Sequence, residues 1–378
     1  MILTEEQEMI RDAAREFSQA ELVPHASEWD RTGEFPEAAI SRMGELGFLG
    51  MLIPEDWDGA DTGHIAYALA LEEVAAGDGG CSTVMSVQNS VVNIPILREG
   101  STAQKERFLR PLSRGEMRGG FALTEPQAGS DASNLKVQAR LDGNRYILSG
   151  TKQFITSGGT ADVMLTFAVT DPDAGKKGIS AFLVPTDQPG YRVARKEEKL
   201  GQRSSDTCQI VFEDMEITPD LMLGEPGEGY RIALSNLEGG RIGIAAQSVG
   251  MARAAYEAAR DYAGERESFG RAIAGHQAVA FRLADMATQI EAAHQMVLHA
   301  AALRDVARPC LKEASMAKLF ASEMAETVCS QAIQIHGGYG YLSDYPVERI
   351  YRDVRVCQIY EGTSDVQRMV ISRAISGD

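Results

Sequence analysis

The chain lacks the clustered basic residues that nucleic-acid binding requires. It has 37 Lys and Arg against 54 Asp and Glu in 378 residues, and its formal net charge is -17 at pH 7. Because binding to a polyanion depends on clustered cations that release counterions, this balance argues against a nucleic-acid partner. No stretch approaches the roughly 18 consecutive apolar residues that a membrane span needs. We therefore expect a soluble protein with no membrane partner.

Cysteine and histidine are also few, and neither is spaced for metal binding. The five cysteines form no C-x-x-C pair, and the six histidines give no H-E-x-x-H motif. A disulfide framework or a zinc cluster is therefore not expected. The cysteines, expected to be reduced and buried, are Cys81, Cys208, Cys310, Cys329 and Cys357.

Targeting and nucleotide-binding motifs are missing as well. The first residues, MILTEEQEMIRDAAREF, contain no basic stretch followed by an apolar core, so the expected localisation is the cytoplasm. GEGYRI at residues 227–232 begins like a dinucleotide-binding fingerprint but ends differently and follows no convincing strand, and no Walker A sequence occurs. No nucleotide cofactor can be inferred from these residues alone.

What the sequence does contain is a pattern that changes twice. Residues 1–118 carry helical spacing, residues 119–225 consist of short β-branched or aromatic runs between turn sequences, and residues 226–378 return to helical spacing. The predicted fold is α+β in three parts: an N-terminal helical bundle, a central antiparallel β domain and a C-terminal four-helix bundle.

Local motifs place some of the helix ends. Thr4 and Gln7 form a capping-box pattern at the start of the first helix. Apolar residues alternate at steps of four and three from Val279 to Val297, which is typical of a bundle seam that stops before Pro309. A further helix is expected to end at the His-Gly-Gly sequence that begins at residue 336.

Near the C-terminus, one carboxylate follows two apolar residues and precedes a glycine. In QIYEGTSDVQR, Glu361 follows Ile359 and Tyr360 and precedes Gly362. A carboxylate here can lie beside the start of a helix that Thr363 caps, or it can serve as a base. The residues alone favour the position beside a helix start, because capping is common and catalysis is rare.

Four separated stretches together resemble the acyl-CoA dehydrogenases. They are ALTEPQAGSDASN (122–134), RESFGRAIAGHQ (266–277), QIHGGYGYLSDYPVERIYRD (334–353) and YEGT (360–363). They follow the family's order and spacing, and the resemblance covers essentially the whole chain. It implies an FAD enzyme of fatty-acid β-oxidation that converts an acyl-CoA thioester to a trans-2-enoyl-CoA and passes electrons to an electron-transfer flavoprotein.

By this resemblance, Glu361 matches the base that removes the α-proton, while flavin N5 accepts the β-hydride. An apolar, substrate-sealed pocket is expected to raise the pKa of Glu361 toward neutrality. Gly240 matches the position at which some relatives carry their catalytic carboxylate, so no alternative base is expected there. Tyr360 and Gly362, on either side of the base, are expected to contact substrate.

The resemblance also implies a set of FAD contacts. Those expected near the flavin ring or the pyrophosphate are Phe121, Leu123, Thr124, Ser130, Phe154 and Thr156. Those expected to reach the FAD of a neighbouring subunit are Arg266, Ser268, Phe269, Gln277, Gln334, Gly337 and Gly338. Thr363 and Asp365 are two more, although the family often has a longer polar side chain in place of Asp365. A site shared in this way implies an oligomer, and the family's usual state is a homotetramer, a dimer of dimers.

On the thioester side, Ser130, Glu238 and Arg241 match positions near the substrate. A solvated helix face remains an alternative for Glu238. The stretches GGRIGIAAQ and MSVQNSVV most resemble short-chain and short branched-chain members. The alternative functions are an acyl-CoA oxidase or a desulfinase-type relative, and a non-enzymatic flavin scaffold. The chain length argues against an oxidase, and the presence of Glu361 argues against a desulfinase-type relative. The acidic balance argues against a non-enzymatic scaffold.

Overall fold

The computed structural model describes residues 1–377, whose helices and strands follow one another in three runs. The helices that precede the sheet are α1 (Glu5–Phe17), α2 (Ala26–Thr32), α3 (Glu37–Glu45), α4 (Gly63–Gly77), α5 (Gly79–Ser86), α6 (Ile94–Glu99), α7 (Thr102–Gln104) and α8 (Arg110–Ser113). The strands of the large sheet are β1 (Gly119–Ala122), β2 (Gln138–Asp142), β3 (Arg145–Thr156), β4 (Val163–Val169), β5 (Ile179–Pro185), β6 (Tyr191–Lys196), β7 (Thr207–Ile217) and β8 (Met222–Leu223).

The third run consists of helices with one small hairpin between them. Its elements are α9 (Gly229–Glu265), β9 (Glu267–Ser268), β10 (Arg271–Ala272), α10 (Gln277–Asp305), α11 (Leu311–His336), α12 (Pro346–Val354) and α13 (Ser364–Ser376). The predicted three-part α+β fold is confirmed. The numerical division into 1–118, 119–225 and 226–378 stays a prediction.

Helices from both the N-terminal and the C-terminal run surround α4, which is apolar apart from two buried glutamates. The predicted capping box at the start of α1 is present, since Thr4 Oγ1 accepts from Gln7 N and Gln7 Oε1 accepts from Thr4 N. On α4 nearly every side chain from Ile65 to Ala75 is buried. A helix that is apolar all round is stable in water only when neighbours cover every face, and α1, α9 and α10 cover α4.

The central sheet runs in the order β6-β7-β3-β2-β4-β5-β8, and β1 pairs with β4. Most neighbours are antiparallel, as predicted, but β1 and β2 each meet β4 in parallel. β4 and β5 are almost entirely buried and read as continuous apolar runs. Two of the short β-branched or aromatic runs expected in this part of the chain, RYILSG and KQFIT, form a single strand, β3, whose pairing with β7 shifts register between Lys152 and Ile155.

The C-terminal helices α9, α10 and α11 pack side by side, and α13 lies against α11. The seam predicted on α10 is confirmed, because Met286, Ile290, Ala293 and Val297 are buried. α10 ends at Asp305, before Pro309, and α11 ends at His336. Gly337 follows with a φ of 62°, a conformation that glycine adopts without strain.

Two hydrophobic cores result from this arrangement. One joins the N- and C-terminal helices, and the other joins the sheet to the short helices that precede it. Side chains from both cores meet along a cleft, where Leu123 belongs to the core of the sheet and Ile244 to the core of the helices. The cleft therefore lies where two rigid units join, a common position for a binding site.

Within residues 1–377, none of the helices combines the length and the apolar composition needed to cross a bilayer. The same part of the chain contains no cluster of three or more His, Cys, Asp or Glu side chains suited to a metal ion. All five cysteines are buried free thiols, as predicted.

Candidate active site

The cleft has a volume of about 710 Å³, and its walls come from every part of the fold. α9 contributes Leu237, Arg241 and Ile244, and the π-helical segment Val87–Asn93 contributes Val87 and Val91. The predicted site residues that line this cleft are Phe121, Leu123, Thr124, Ser130, Phe154, Thr156, Arg241, Tyr360, Glu361 and Gly362. The structure thus brings together ten of the residues that the family resemblance assigns.

The loop before α13 presents the Glu361 side chain to the cleft. Glu361 and Gly362 both have left-handed backbone conformations, with φ of 55° and 89°. The helix cap that follows is made by Thr363, whose Oγ1 accepts from Val366 N at 3.3 Å. Oε2 of Glu361 is buried and has no hydrogen-bond partner among the described residues. The carboxylate is therefore not occupied by capping and is free to act on a ligand.

Burial raises the pKa of Glu361 to about 7. The guanidinium of Arg241 and the ammonium of Lys318 act in the opposite direction, because each stabilises the ionised carboxylate. Arg241 is itself buried, and its Nη1 donates to Ser315 Oγ at 3.2 Å. A carboxyl group with this pKa is close to the optimum for a general base that works near neutral pH.

Gly240 on α9 makes room for this carboxylate. A Cβ at residue 240 would lie 2.5 Å from Oε2 of Glu361, closer than non-bonded atoms approach. Positions 240 and 361 therefore face the same point in the cleft. This geometry agrees with the expectation that a carboxylate is carried at one of the two positions and not at both.

On the opposite wall, Phe154 has an unusual backbone and an unusual exposure. It lies in β3 with a φ of 58°, which is a strained conformation for an aromatic residue, and it is 64% exposed. Phe121 and Thr156 lie beside it in the lining of the cleft. An exposed aromatic face next to a hydroxyl group suits a flat aromatic ligand with polar edges.

A buried ion pair that the sequence reasoning missed supports this wall. Lys152 Nζ lies 2.8 Å from Glu125 Oε1 and also donates to Leu123 O at 3.0 Å. Glu125 accepts in addition from the backbone N of Lys136 and Val137. Burial acts to raise the pKa of Glu125, but Lys152 and these hydrogen bonds outweigh it, so the pKa is lowered. The pair fixes the loop that carries Leu123 and Thr124.

The remaining predicted cofactor contacts lie elsewhere on the surface. Arg266, Gly337 and Gly338 line a separate hollow of about 510 Å³, where the guanidinium lies 5.7 Å from the ring centre of Tyr339. In the neighbouring β9–β10 hairpin, Ser268 contacts His276, and Phe269 is 98% exposed with a φ of 49°. Gln277 begins α10 and Gln334 is exposed near the end of α11. A single chain does not bring this second group to the cleft.

Three predicted residues are engaged in local contacts outside the cleft lining. Glu238 pairs with Arg304 at 3.0 Å and accepts from Cys310 N at 2.9 Å, immediately before α11. The Asp365 side chain is 92% exposed and lies 3.5 Å from Arg368. Thr363 caps α13. Their assignments to substrate or cofactor stay predictions. In this structure both carboxylate oxygens of Glu238 contact other residues of the chain, Arg304 and Cys310.

Comparison with known proteins identifies the family of the chain. Three family models match successive parts of the chain: "Acyl-CoA dehydrogenase, N-terminal domain" at residues 4–116, "middle domain" at 120–215 and "C-terminal domain" at 227–376. The chain belongs to the acyl-CoA dehydrogenase family. It is therefore an oxidoreductase that acts on CH–CH bonds, and the predicted family and enzyme class are confirmed.

The relatives of this acyl-CoA dehydrogenase match along its whole length. "Short-chain specific acyl-CoA dehydrogenase, mitochondrial" from Bos taurus is 46% identical over 370 residues, which are 98% of this chain and 90% of that protein. The butyryl-CoA dehydrogenase structure from Megasphaera elsdenii has a TM-score of 0.98 at 40% identity, covering 100% of this chain and 99% of that one. A chain from a structure of the "Electron transferring flavoprotein of Acidaminococcus fermentans" has a TM-score of 0.98 at 45% identity and covers both chains completely.

Proposed function

We propose that this protein is an FAD-dependent dehydrogenase of short-chain acyl-CoA thioesters in which Glu361 removes the α-proton. The observation that carries the proposal is the Glu361 carboxylate, buried in the cleft with no hydrogen-bond partner for Oε2 among residues 1–377. Leaving a polar atom unpaired costs about 1–3 kcal/mol. Unlike unpaired atoms elsewhere in the core, Oε2 of Glu361 belongs to a residue that lines the cleft, where a ligand can supply the partner.

Glu361 must be ionised to take the proton. With a pKa of about 7, a large fraction of the carboxylate is ionised near neutral pH, and its basicity is well above that of an ordinary glutamate. We assign the polarisation of the thioester carbonyl to the backbone N–H of Glu361, by the family resemblance. The carboxylate that accepts the proton and the N–H that donates to the thioester carbonyl then belong to the same residue, which fixes their relative position.

The opposite wall of the cleft fits a flavin. Phe121 and Phe154 offer aromatic surface, and Thr124 and Thr156 offer hydroxyl groups and backbone at the same wall. When bound there, FAD supplies the acceptor for the hydride that leaves Cβ. Glu361 lines the same cleft, so it would take the α-proton of a thioester bound there while Phe121, Phe154, Thr124 and Thr156 would hold the flavin.

A buried polar cluster in contact with two residues of the cleft lining favours a short acyl chain. Gln247 is completely buried, and its Nε2 donates to Gly79 O at 2.9 Å and to Ser82 Oγ and Thr83 Oγ1 at 2.7 Å. Its Oε1 accepts from the hydroxyl of Tyr360, and Thr83 and Tyr360 line the cleft. A longer chain would have to break this satisfied network, which is costly in a buried place. The names of the short-chain and butyryl-CoA relatives agree.

We propose that the reduced flavin passes its electrons to an electron-transfer flavoprotein. The similar chain in the Acidaminococcus fermentans structure supports this assignment. We also propose a cytoplasmic homotetramer, a dimer of dimers. The exposed Phe269 and the separate hollow at Arg266 support an oligomer, because they give a second copy of the chain an apolar anchor and a phosphate-binding cation.

Anaerobic titration of the purified protein with straight-chain acyl-CoAs of increasing length tests the proposal. We expect a yellow protein with one FAD per subunit, whose flavin absorbance bleaches with butyryl-CoA and progressively less with longer chains. Re-oxidation should be fast with an electron-transfer flavoprotein and slow with oxygen. A colourless protein that FAD does not reconstitute, or a flavin that no acyl-CoA bleaches, would overturn the proposal.

A further inference from the structure

Behind the cleft, one lysine is completely buried next to the catalytic loop. Lys318 lies in the third turn of α11, and its ammonium donates to the carbonyl of Gly362 at 2.7 Å. This is the only hydrogen bond of Lys318 Nζ within residues 1–377. Its partner is a neutral carbonyl rather than a carboxylate, so the positive charge stays uncompensated at short range.

A second buried side chain holds the same carbonyl. Gln367 on α13 is completely buried, and its Nε2 donates to Gly362 O at 2.8 Å and to Glu361 O at 3.2 Å. A Cβ on residue 362 would lie 2.8 Å from that same nitrogen. The close approach of Gln367 therefore depends on glycine at residue 362. Donors from two helices thus hold the carbonyls of two consecutive left-handed residues.

The left-handed conformation of Glu361 needs such support. A φ of 55° is unfavourable for a glutamate, and it persists only where the surroundings impose it. The conformation also directs the carboxylate to the point opposite Gly240, where no backbone donor reaches Oε2 among the described residues. If the two carbonyls were released, the loop could relax and move the carboxylate by an ångström or more.

The charge of Lys318 acts on the same carboxylate. The charged or titratable groups that face Glu361 are Arg241 from α9, Lys318 from α11 and Tyr67 from α4. Lys318 is also close to Cys357, Arg241 and Glu323, and burial lowers its own pKa to about 8. Arg241 lines the cleft, where a substrate can reach it, whereas Lys318 lies behind the loop.

We propose that Lys318 is a positioning residue of the reaction: together with Gln367 it clamps the Glu361–Gly362 backbone so that the Glu361 carboxylate faces Gly240, and its charge favours the ionised carboxylate. The inference rests on the proposed role of Glu361 as the base. Two contributions can be separated, namely the hydrogen bonds to the loop and the positive charge near the carboxylate. Gln367 supplies hydrogen bonds alone, whereas Lys318 supplies a hydrogen bond and a charge.

Two substitutions separate these contributions, and a third is their control. Lys318→Met keeps the length of the side chain but removes its charge and donor, and Gln367→Met removes a neutral donor. The control is Lys312→Met on the same helix, since the Lys312 side chain is 43% exposed and pairs with Glu313. For each variant we measure FAD content, the anaerobic rate of flavin reduction by butyryl-CoA from pH 5.5 to 8.5, and an infrared pH titration of the carboxyl band that Glu361→Gln removes.

We expect all three variants to retain FAD. Gln367→Met should reduce flavin roughly 10-fold more slowly with an unshifted pH midpoint, since a mispositioned base loses rate. Lys318→Met should lose at least as much rate and move both the kinetic and the infrared midpoint of Glu361 to higher pH, because the ionised carboxylate has lost a cation. Lys318→Arg should restore the midpoint, and Lys312→Met should match the wild type.

Wild-type rates and midpoints in both Lys318→Met and Gln367→Met would overturn the inference. If Lys318→Met does not fold, the other two variants test the inference. A wild-type rate of flavin reduction in Gln367→Met, or a raised pH midpoint in Lys318→Arg, then refutes the inference. The proposed function fails separately, namely if the wild type is not bleached by any acyl-CoA or if Glu361→Gln is bleached as fast as the wild type.

Discussion

At the scale of single residues, Phe154, Phe269 and Glu361 have φ values of 58°, 49° and 55°. Large side chains rarely adopt this conformation, and each instance costs of order 1–3 kcal/mol. Phe154 and Glu361 line the two sides of the cleft, and Phe269 lies at the tip of the exposed β9–β10 hairpin. Three of the nine non-glycine residues with positive φ among residues 1–377 are thus ones that the family resemblance assigns to cofactor or base.

Replacement of Glu361 tests its role most directly. In Glu361→Gln the shape of the side chain is kept and the base is lost, so FAD content should be unchanged while butyryl-CoA-dependent flavin reduction falls about 10²- to 10⁴-fold. Stopped-flow absorbance of the flavin under anaerobic conditions measures the rate. Near-normal reduction by the variant would exclude Glu361 as the base.

The same substitution should change how stability depends on pH. Burial raises the pKa of Glu361 from 4.5 to about 7, so the folded state binds this proton more tightly than the unfolded state. The wild type therefore loses stability as the pH rises from about 4.5 to about 7, and the loss persists above that. Glutamine does not titrate, so Glu361→Gln should raise the unfolding midpoint more at pH 8 than at pH 5.

Asp353 also has a pKa raised by burial to about 7, and its contribution cancels when wild type and variant are compared at each pH. Differential scanning fluorimetry of FAD-loaded protein gives the midpoints. An equal difference between the two proteins at pH 5 and pH 8 would contradict the buried, proton-binding carboxylate.

The contact between positions 240 and 361 allows the carboxylate to be moved. Because a Cβ on residue 240 would lie 2.5 Å from Oε2 of Glu361, the side chain at 361 must shrink when one is added at 240. The exchange Gly240→Glu with Glu361→Gly should therefore recover part of the flavin reduction that Glu361→Gly alone abolishes. Full recovery is not expected, since an error of about an ångström can cost 10²-fold.

Recovery is measured as the anaerobic reduction rate with butyryl-CoA, with Gly240→Gln/Glu361→Gly as the matched control that lacks a base. Equal rates in the exchange variant and this control would show that the two positions do not serve the same carbon atom.

The family resemblance predicted site roles for Glu361 and Phe154, but no motif pointed to the buried lysines that contact their loops. Lys318 is 43 positions before Glu361, and Lys152 is 27 positions after Glu125. Their importance depends on complete burial and on contacts between distant elements. A lysine in KQFIT or in ASMAKLF has no local mark of either property, although a lysine at a core-facing position of a strand or helix is a reason to look for a partner.

At the scale of elements, α9 combines length with close packing. A Cβ at Gly250 would lie 2.1 Å from the carbonyl O of Glu72 on α4, whereas one at Gly264 would meet no atom within 4 Å among residues 1–377. Both glycines are helical, so both carry the entropic cost of glycine in a helix. Of these two glycines, only Gly250 is required by its contacts.

The substitution Gly250→Ala should therefore destabilise the protein by several kcal/mol, because α4 and α9 must separate. Gly264→Ala, in the same helix, should stabilise it by about 0.5–1 kcal/mol. Chemical denaturation of the two variants and the wild type measures both changes. A destabilised Gly264→Ala, or a Gly250→Ala as stable as the wild type, would contradict the packing described for this helix.

Periodicity predicted the long C-terminal helices and their ends, because an amphipathic seam repeats over many turns. Four strands of the sheet, β1, β2, β6 and β8, were not predicted, and β1 and β6 were missed for opposite reasons. β1 is GGFA, too short and too rich in glycine to show alternation, and β6 is YRVARK, a largely exposed edge strand rich in charge. Pairing with neighbours, which no local pattern reveals, makes both of them strands.

At the scale of the whole molecule, the predicted cofactor contacts fall into two groups that one chain does not join. The cleft contains Phe154 and Glu361, while the hollow at Arg266 and Gly338 is separate from it. An arrangement in which one copy completes the cleft of another explains both the second group and the exposure of Phe269. Sequence motifs identified both groups, but only the fold shows that they are apart.

Mixed oligomers test whether subunits share a site. Glu361→Gln removes the base from a subunit's own cleft, and Arg266→Glu should weaken FAD binding in its neighbour's cleft by placing a carboxylate near the pyrophosphate. Each variant alone should be nearly inactive with butyryl-CoA. When the two are co-expressed with different tags and purified through both, one cleft in each mixed pair has an intact Glu361 and an intact neighbouring Arg266. With random pairing, about a quarter of wild-type activity is expected before selection and, in a dimer of dimers, only slightly more after it, because a tetramer made of two unmixed pairs also carries both tags. Mixed oligomers that form and carry FAD but recover no activity would show that each chain binds its cofactor alone.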